Sequence, residues 1–214
     1  METFKCRFQG TYAMLMNRIP DDFEADSSET IRKASGIKTL LPREVAERGA
    51  YRMKDGRLYV PSEWIERGFS ETSGNYKQRG TRKSLKYVAL SAFEVFPEQI
   101  PFVGDLKQYE VFAKPANNRV TKGKIMTYRP RIEEWAISFE VKLDTSLMTA
   151  SDAKKILDEM GVKNGLGSWR PQKAGKFGRF IVTLWEPLDA KKDRVYSHTD
   201  GEDVTSVVQG GVER

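Results

Sequence analysis

The sequence predicts an α+β protein built on a half-buried antiparallel sheet, and three stretches carry that expectation. Trp135, Ile137, Phe139, Val141 and Leu143 alternate with mainly polar residues, the period-2 pattern of a strand with one face buried. Thr149-Ala-Ser-Asp152 has the Ser/Thr-x-x-acid form of a helix start. Ala153, Ile156, Leu157 and Met160 then recur at helical spacing as one apolar stripe, and Gly161 is placed as the stop. Phe180-Ile-Val-Thr-Leu-Trp185 supplies a second apolar strand. Between helix and strand lies a glycine-broken loop with Lys163, Arg170, Lys173, Lys176 and Arg179 and no acid among them.

The other elements follow from the N-terminus. Phe4, Cys6 and Phe8 alternate with Lys5, Arg7 and Gln9 up to Gly10, which fits a first strand. Met14-Leu15-Met16 is an apolar clamp that packs. Residues 21–29 carry Asp21, Asp22, Glu24, Asp26 and Glu29, a pattern usual for a solvated loop; closely spaced carboxylates also suit a divalent metal or acid–base chemistry. Residues 29–49 are charged and weakly helical. Asp55-Gly56 signals a turn, and Arg57 to Val60 a short strand. Ser62 is positioned to cap a helix that ends near Gly74. Residues 88–96 are apolar and fit either helix or strand, while Tyr109 to Ala113 fits a strand.

Two further basic stretches stand out. Residues 76–87 hold Lys77, Arg79, Arg82, Lys83 and Lys86, with Tyr76 and Tyr87 at the ends and no acid. Residues 117–131 hold Arg119, Lys122, Lys124, Arg129 and Arg131 around Gly123, again without an acid. Beyond Pro187 the chain is polar and contains glycines, which suits a loosely ordered tail or an oligomer contact.

Composition narrows the function classes. In 214 residues, 39% are hydrophobic and 31% charged, a globular balance, and the net charge of +6 with a pI near 9.3 favours an anionic partner. A single cysteine, Cys6, excludes an intrachain disulfide framework and a cysteine-rich zinc site. The one histidine, His198, lies in the polar tail. No apolar run approaches the roughly 20 residues of a membrane span and no signal peptide is evident, so a cytoplasmic protein without membrane contact is expected. A P-loop, a metal-binding histidine pair, a Gly-x-Ser-x-Gly elbow and a dinucleotide fingerprint are all missing, and no cofactor or metal is expected.

Three acid-free basic stretches brought to one face would form a groove that tracks phosphates. Their cations would displace condensed counterions, making affinity salt-dependent. Tyr76, Tyr87, Tyr128 and Trp169 are interleaved with those cations, which suits stacked bases and hence single strands. Gly165, Gly167, Gly175 and Gly178 would let backbone amides approach phosphates. The plainer alternative is a set of solvated hairpins, with Trp169 covering the sheet.

A family resemblance points the same way. Phe8-Gln-Gly-Thr-Tyr-Ala-Met-Leu-Met-Asn17 resembles the opening strand and turn of the RAMP superfamily, the modified RNA-recognition folds that form the crRNA-binding backbone of CRISPR effector complexes. Leu58-Tyr-Val-Pro-Ser-Glu-Trp-Ile-Glu-Arg-Gly68 is similar to that group's helix start. Tyr128-Arg-Pro-Arg-Ile-Glu-Glu-Trp135 and Gly165-Leu-Gly-Ser-Trp-Arg-Pro, followed by Phe177-Gly-Arg-Phe180, resemble a RAMP-like family carried by bacteriophages and prophages. Tyr12 and Asn17 stand where the family has proline and histidine.

The resemblance implies a ferredoxin-like antiparallel sheet with helices on one face, occupying 1–186 as one domain with insertions at about 19–57 and 74–108, and a tail at 187–214. It also implies a self-assembling subunit, a homo-oligomer or filament coating single-stranded nucleic acid, in a host cytoplasm if phage-encoded. The expected function is therefore non-catalytic, sequence-tolerant binding of single-stranded RNA or DNA. Its binding residues would be Lys77, Arg79, Arg82, Lys83, Lys86, Arg119, Lys122, Lys124, Arg129, Arg131, Trp169, Arg170, Lys173, Lys176 and Arg179. Two alternatives stay open: a metal-dependent RAMP-type endoribonuclease using Asp21, Asp22 or Asp26, and a phage structural or assembly protein that binds no nucleic acid.

Overall fold

The computed structural model describes residues 1–19, 41–117 and 123–188. Asp21, Asp22, Asp26, Arg119, Lys122 and His198 lie outside these residues.

Alternation in the sequence becomes a four-stranded sheet of β1 (Glu2–Gly10), β4 (Phe93–Phe96), β8 (Ala136–Leu143) and β9 (Phe180–Pro187). Its spatial order is β4-β8-β1-β9, with every neighbouring pair antiparallel. The register sets Phe4 opposite Val141, Cys6 opposite Phe139 and Phe8 opposite Ile137, so each cross-strand pair places two buried residues on the same face. Lys5 stands opposite Glu140, and Glu94 opposite Lys142. Opposite charges thus face each other at two positions of the outer face, while Arg7 stands opposite Ser138 and Leu184.

Two helices cover the apolar face. Helix α2 (Ser62–Ser73) lies in sequence between β1 and β4, and α4 (Ala150–Lys163) between β8 and β9. Phe69 of α2 stacks on Phe93 of β4 at 3.8 Å between ring centroids. Ala153, Ile156, Leu157 and Met160 of α4 are all fully buried, as the stripe predicts. Burial in this core pushes the Cys6 thiol pKa up, which removes it as a nucleophile at neutral pH.

A second sheet flanks the first. Strands β6 (Glu110–Asn117) and β7 (Lys124–Ile132) form an antiparallel ribbon, and the two-residue β2 (Met14–Leu15) pairs with the base of β7. Trp135 joins the two sheets: its Nε1 donates to the Tyr12 carbonyl at 2.9 Å, and its carbonyl accepts from Gly10 N at 2.8 Å. Its indole lies where a Cβ on Gly10 would sit, 2.4 Å from the nearest ring atom. Short strands β3 (Tyr59–Pro61) and β5 (Gln99–Pro101) form a separate pair, and α1 (Pro42–Arg48) packs on the β6–β7 ribbon.

Several local expectations hold and others are corrected. Thr149 caps α4, its side chain accepting from Asp152 N at 3.1 Å. Helix α2 ends at Gly74 as expected, but Ser62 makes no cap, because Pro61 occupies the N-cap position and the Ser62 amide bonds the Glu98 carbonyl. Residues 88–96 are both helix and strand: α3 (Lys86–Ala92) runs directly into β4. Gly161 does not stop α4, which continues to Lys163 with Asn164 as its cap. Its value is closeness, since a Cβ there would lie 2.2 Å from the Phe180 carbonyl oxygen. Among the described residues no helix is long and apolar enough to cross a membrane.

Candidate nucleic-acid interface

The loop from Asn164 to Arg179 folds back across β2. Ser168 N donates to the Leu15 carbonyl at 2.8 Å, and Gly178 N to the Ala13 carbonyl at 2.8 Å. A Cβ on Gly167 would lie 2.5 Å from Leu15 O, so only glycine permits this approach. Three of the four loop-glycine amides do not face outward as the sequence suggested. Those of Gly165, Gly175 and Gly178 donate to the carbonyls of Met160, Arg170 and Ala13. These glycines let the loop close on itself, and the anion-seeking groups are the side chains it holds out.

The same closure sets Trp169 against the β6–β7 ribbon. Phe112 of β6 stands opposite Arg129 of β7, two residue pairs from Lys114 and Thr127 and so on the same face of the ribbon. The Arg129 guanidinium carbon lies 4.2 Å from the Trp169 ring centroid, and Lys114 Nζ 4.6 Å from it. Arg129 also donates from Nη1 to Ser168 Oγ. This half-buried guanidinium has no carboxylate partner among the described residues, and burial holds its pKa below the ordinary value. An anion arriving beside it would restore the solvation that burial removes.

Trp169 divides a groove into two compartments, and Lys173 lines both. The larger, about 710 Å³, has aromatic walls from Tyr12, Phe112, Trp169 and Phe177, and cations from Lys114, Arg131, Lys173 and Lys176. Phe177 packs edge-on against both Tyr12 and Phe112, and Lys176 Nζ sits 5.3 Å from the Tyr12 ring centroid. The smaller, about 310 Å³, is polar: Asn17, Trp64, Arg129, Ser168, Arg170 and Lys173 line it. Neither lining contains a carboxylate. Arg131 pairs with Glu133 beside the groove but keeps a buried Nε without a hydrogen-bond partner. Arg170 is held by Gln172 and lies 3.7 Å from Glu71, where the acid-free character ends.

Of the three basic stretches, the structure brings two together at this groove. Arg129 and Arg131 come from one, and Trp169, Arg170, Lys173 and Lys176 from the other. Lys124 and Arg179 are exposed but line neither compartment. Lys77, Arg79, Arg82, Lys83 and Lys86 are all exposed, and none lines the groove. Their loop closes through Gln78 N to the Lys83 carbonyl, and Tyr76 anchors it to α4 by donating its hydroxyl to Glu159 at 2.7 Å. Sequence reasoning missed Lys114, Phe112, Tyr12, Asn17 and Trp64.

No protein-family model matches the sequence, and no curated protein matches it. Among solved structures, the chain is similar to one in a type III-B Cmr-beta complex bound to cognate target RNA, with a TM-score of 0.54 and 10% identity. The match covers 88% of this chain and 61% of that one, so the chain spans about three-fifths of its neighbour's length. At this identity the likeness is one of fold.

Proposed function

We propose that this chain binds single-stranded nucleic acid, RNA by preference, through the groove divided by Trp169. The observation that carries the proposal is Arg129, a half-buried guanidinium stacked on an indole with no carboxylate among the described residues to neutralise it. Lys114, Lys173 and Lys176 supply further positive charge, and the aromatic compartment offers ring surface for unstacked bases. The outer sheet face suits nucleic acid less, because Glu94, Glu140 and Glu186 are interspersed with its cations.

The core is proposed to be ferredoxin-like, and the chain a RAMP-superfamily protein whose domain spans 1–186. Helices between β1 and β4 and between β8 and β9, the order β4-β8-β1-β9, and the fold likeness to a chain of an RNA-bound Cmr-beta complex support this. Binding is proposed to be non-catalytic and sequence-tolerant, with copies assembling along a strand.

Fluorescence anisotropy with labelled RNA and DNA oligonucleotides of one sequence tests the reading. Affinity for RNA should exceed that for DNA and fall linearly in log–log form with salt, each neutralised phosphate contributing about 0.7 to the slope. Binding that is absent at low salt, or that ignores salt, would sink the proposal.

A further inference from the structure

The two compartments differ in chemistry, and the difference identifies what the smaller one takes. Aromatic walls make the larger compartment a place for bases. The smaller offers instead two guanidiniums, an ammonium, the Ser168 hydroxyl and the Asn17 amide. Three cations converge there on about 310 Å³ with no acid in the lining. A phosphodiester inside a strand carries one negative charge, whereas a terminal phosphomonoester carries about 1.5 to 2 and three strong acceptor oxygens. The guanidinium of Arg129 suits that group, because only its Nη1 is engaged, by Ser168 Oγ, and its remaining donors can meet phosphate oxygens, while Arg170, held by Gln172 and the Gly167 carbonyl, adds positive charge at the rim.

The positive track also stops at this compartment. Beyond Arg170 lies the Glu71 carboxylate, fixed by a 2.6 Å hydrogen bond from Gln172 Nε2. A strand entering from the aromatic compartment meets negative charge immediately past the seat, which disfavours a backbone that continues and leaves one that ends untouched. Trp64, on the first turn of α2, walls the seat with its indole.

We propose that the smaller compartment is a seat for the terminal phosphate of a single-stranded oligonucleotide. The proposal rests on the groove being the nucleic-acid site, and adds that one end of the strand is recognised by its phosphomonoester. In an assembly along a strand, the copy at that end would hold it.

The test uses the full chain and one short RNA sequence in three forms: 5′-phosphate, 3′-phosphate and hydroxyl at both ends. One phosphorylated form should bind roughly tenfold or more tightly than the hydroxyl form, the scale of an added charge-assisted interaction. Asn17→Ala, at an exposed position, and Arg129→Lys, which keeps the charge but loses the fork, should each shrink that advantage. Lys176→Ala, in the other compartment, should weaken all three forms by a similar factor. Equal affinity of the three forms, with Lys176→Ala still weakening them, overturns the terminal-phosphate seat and leaves the groove reading standing. Failure of every form to bind overturns both.

Discussion

Arg129 lies over the indole of Trp169, its guanidinium carbon 4.2 Å from the ring centroid, while the same side chain donates to the hydroxyl of the neighbouring Ser168. The indole thus holds in place a cation that would otherwise turn toward bulk water. Lys114 shares the same ring from the adjacent strand.

This arrangement makes Trp169 the seat of two cations. Trp169→Ala should weaken oligonucleotide binding by about 1 to 2 kcal/mol, the worth of the two cation–π contacts it ends. Anisotropy titration measures it, with a thermal melt alongside to show that the fold survives. Unchanged affinity in a folded variant would show that neither cation depends on the ring.

The groove and the 76–87 loop are separable by mutation. Replacing Lys173 and Lys176 together by alanine should lower affinity for a short oligonucleotide and flatten its salt slope by about 1.4 if each meets one phosphate. Replacing Lys77, Arg79, Arg82, Lys83 and Lys86 by glutamine should have the smaller effect on the same oligonucleotide, although it removes more charge. The reverse ranking would move the binding face to the α4 side of the molecule.

Two glycines on facing helices respond differently to an added methyl. At Gly161 a Cβ meets the backbone oxygen of Phe180 at 2.2 Å, and a strand cannot yield cheaply. Gly161→Ala should therefore destabilise by about 1–3 kcal/mol, the usual range for overpacking. At Gly68 the obstacle is the terminal methyl of Met160 at 2.4 Å, the far end of a flexible side chain. The gain in helix propensity of about 1 kcal/mol offsets much of the strain, so Gly68→Ala should be close to neutral. Urea denaturation of the two variants compares them directly.

The Tyr109–Glu47 hydrogen bond, 2.6 Å long, predicts loss of stability at both ends of the pH scale. Hydrogen bonding from Arg52, followed by that from Tyr109, holds the Glu47 carboxyl below its ordinary value of 4.5, so its contribution is present above that pH and fades as pH falls through the folded value. Desolvation and the same bond to Glu47 push the Tyr109 hydroxyl from 10.0 up to about 12, so its contribution is complete below pH 10 and disappears as pH rises toward 12. Tyr76 on Glu159 adds to the alkaline limb, its hydroxyl also raised to about 12. Tyr109→Phe should flatten part of the alkaline loss, read from melting temperature against pH. An unaltered alkaline limb would mean the bond does not persist in solution.

How much of this was legible depended on whether the signal was local. Alternation in 135–143 and the stripe from Ala153 to Met160 are properties of one segment, and both elements formed where the pattern placed them. Lys114 reaches Trp169 only because β6 pairs with β7 in a particular register, which no short window contains. Cation density likewise does not say on which side of α2 a loop will lie, and 76–87 went to α4. The loop glycines misled for a related reason: sequence shows that a backbone can turn, but not whether its amide then faces inward or out. Gly161 shows the same limit, since a helix stop and a close contact leave the same residue in the sequence.

Those inward-facing amides have a thermodynamic consequence. With Gly165, Gly175 and Gly178 already bonded within the fold, the 164–179 segment is finished before any anion arrives. Its docking surface surrenders little conformational freedom on association, and the entropy of complex formation should come mainly from ions and water leaving the groove and from the strand becoming ordered.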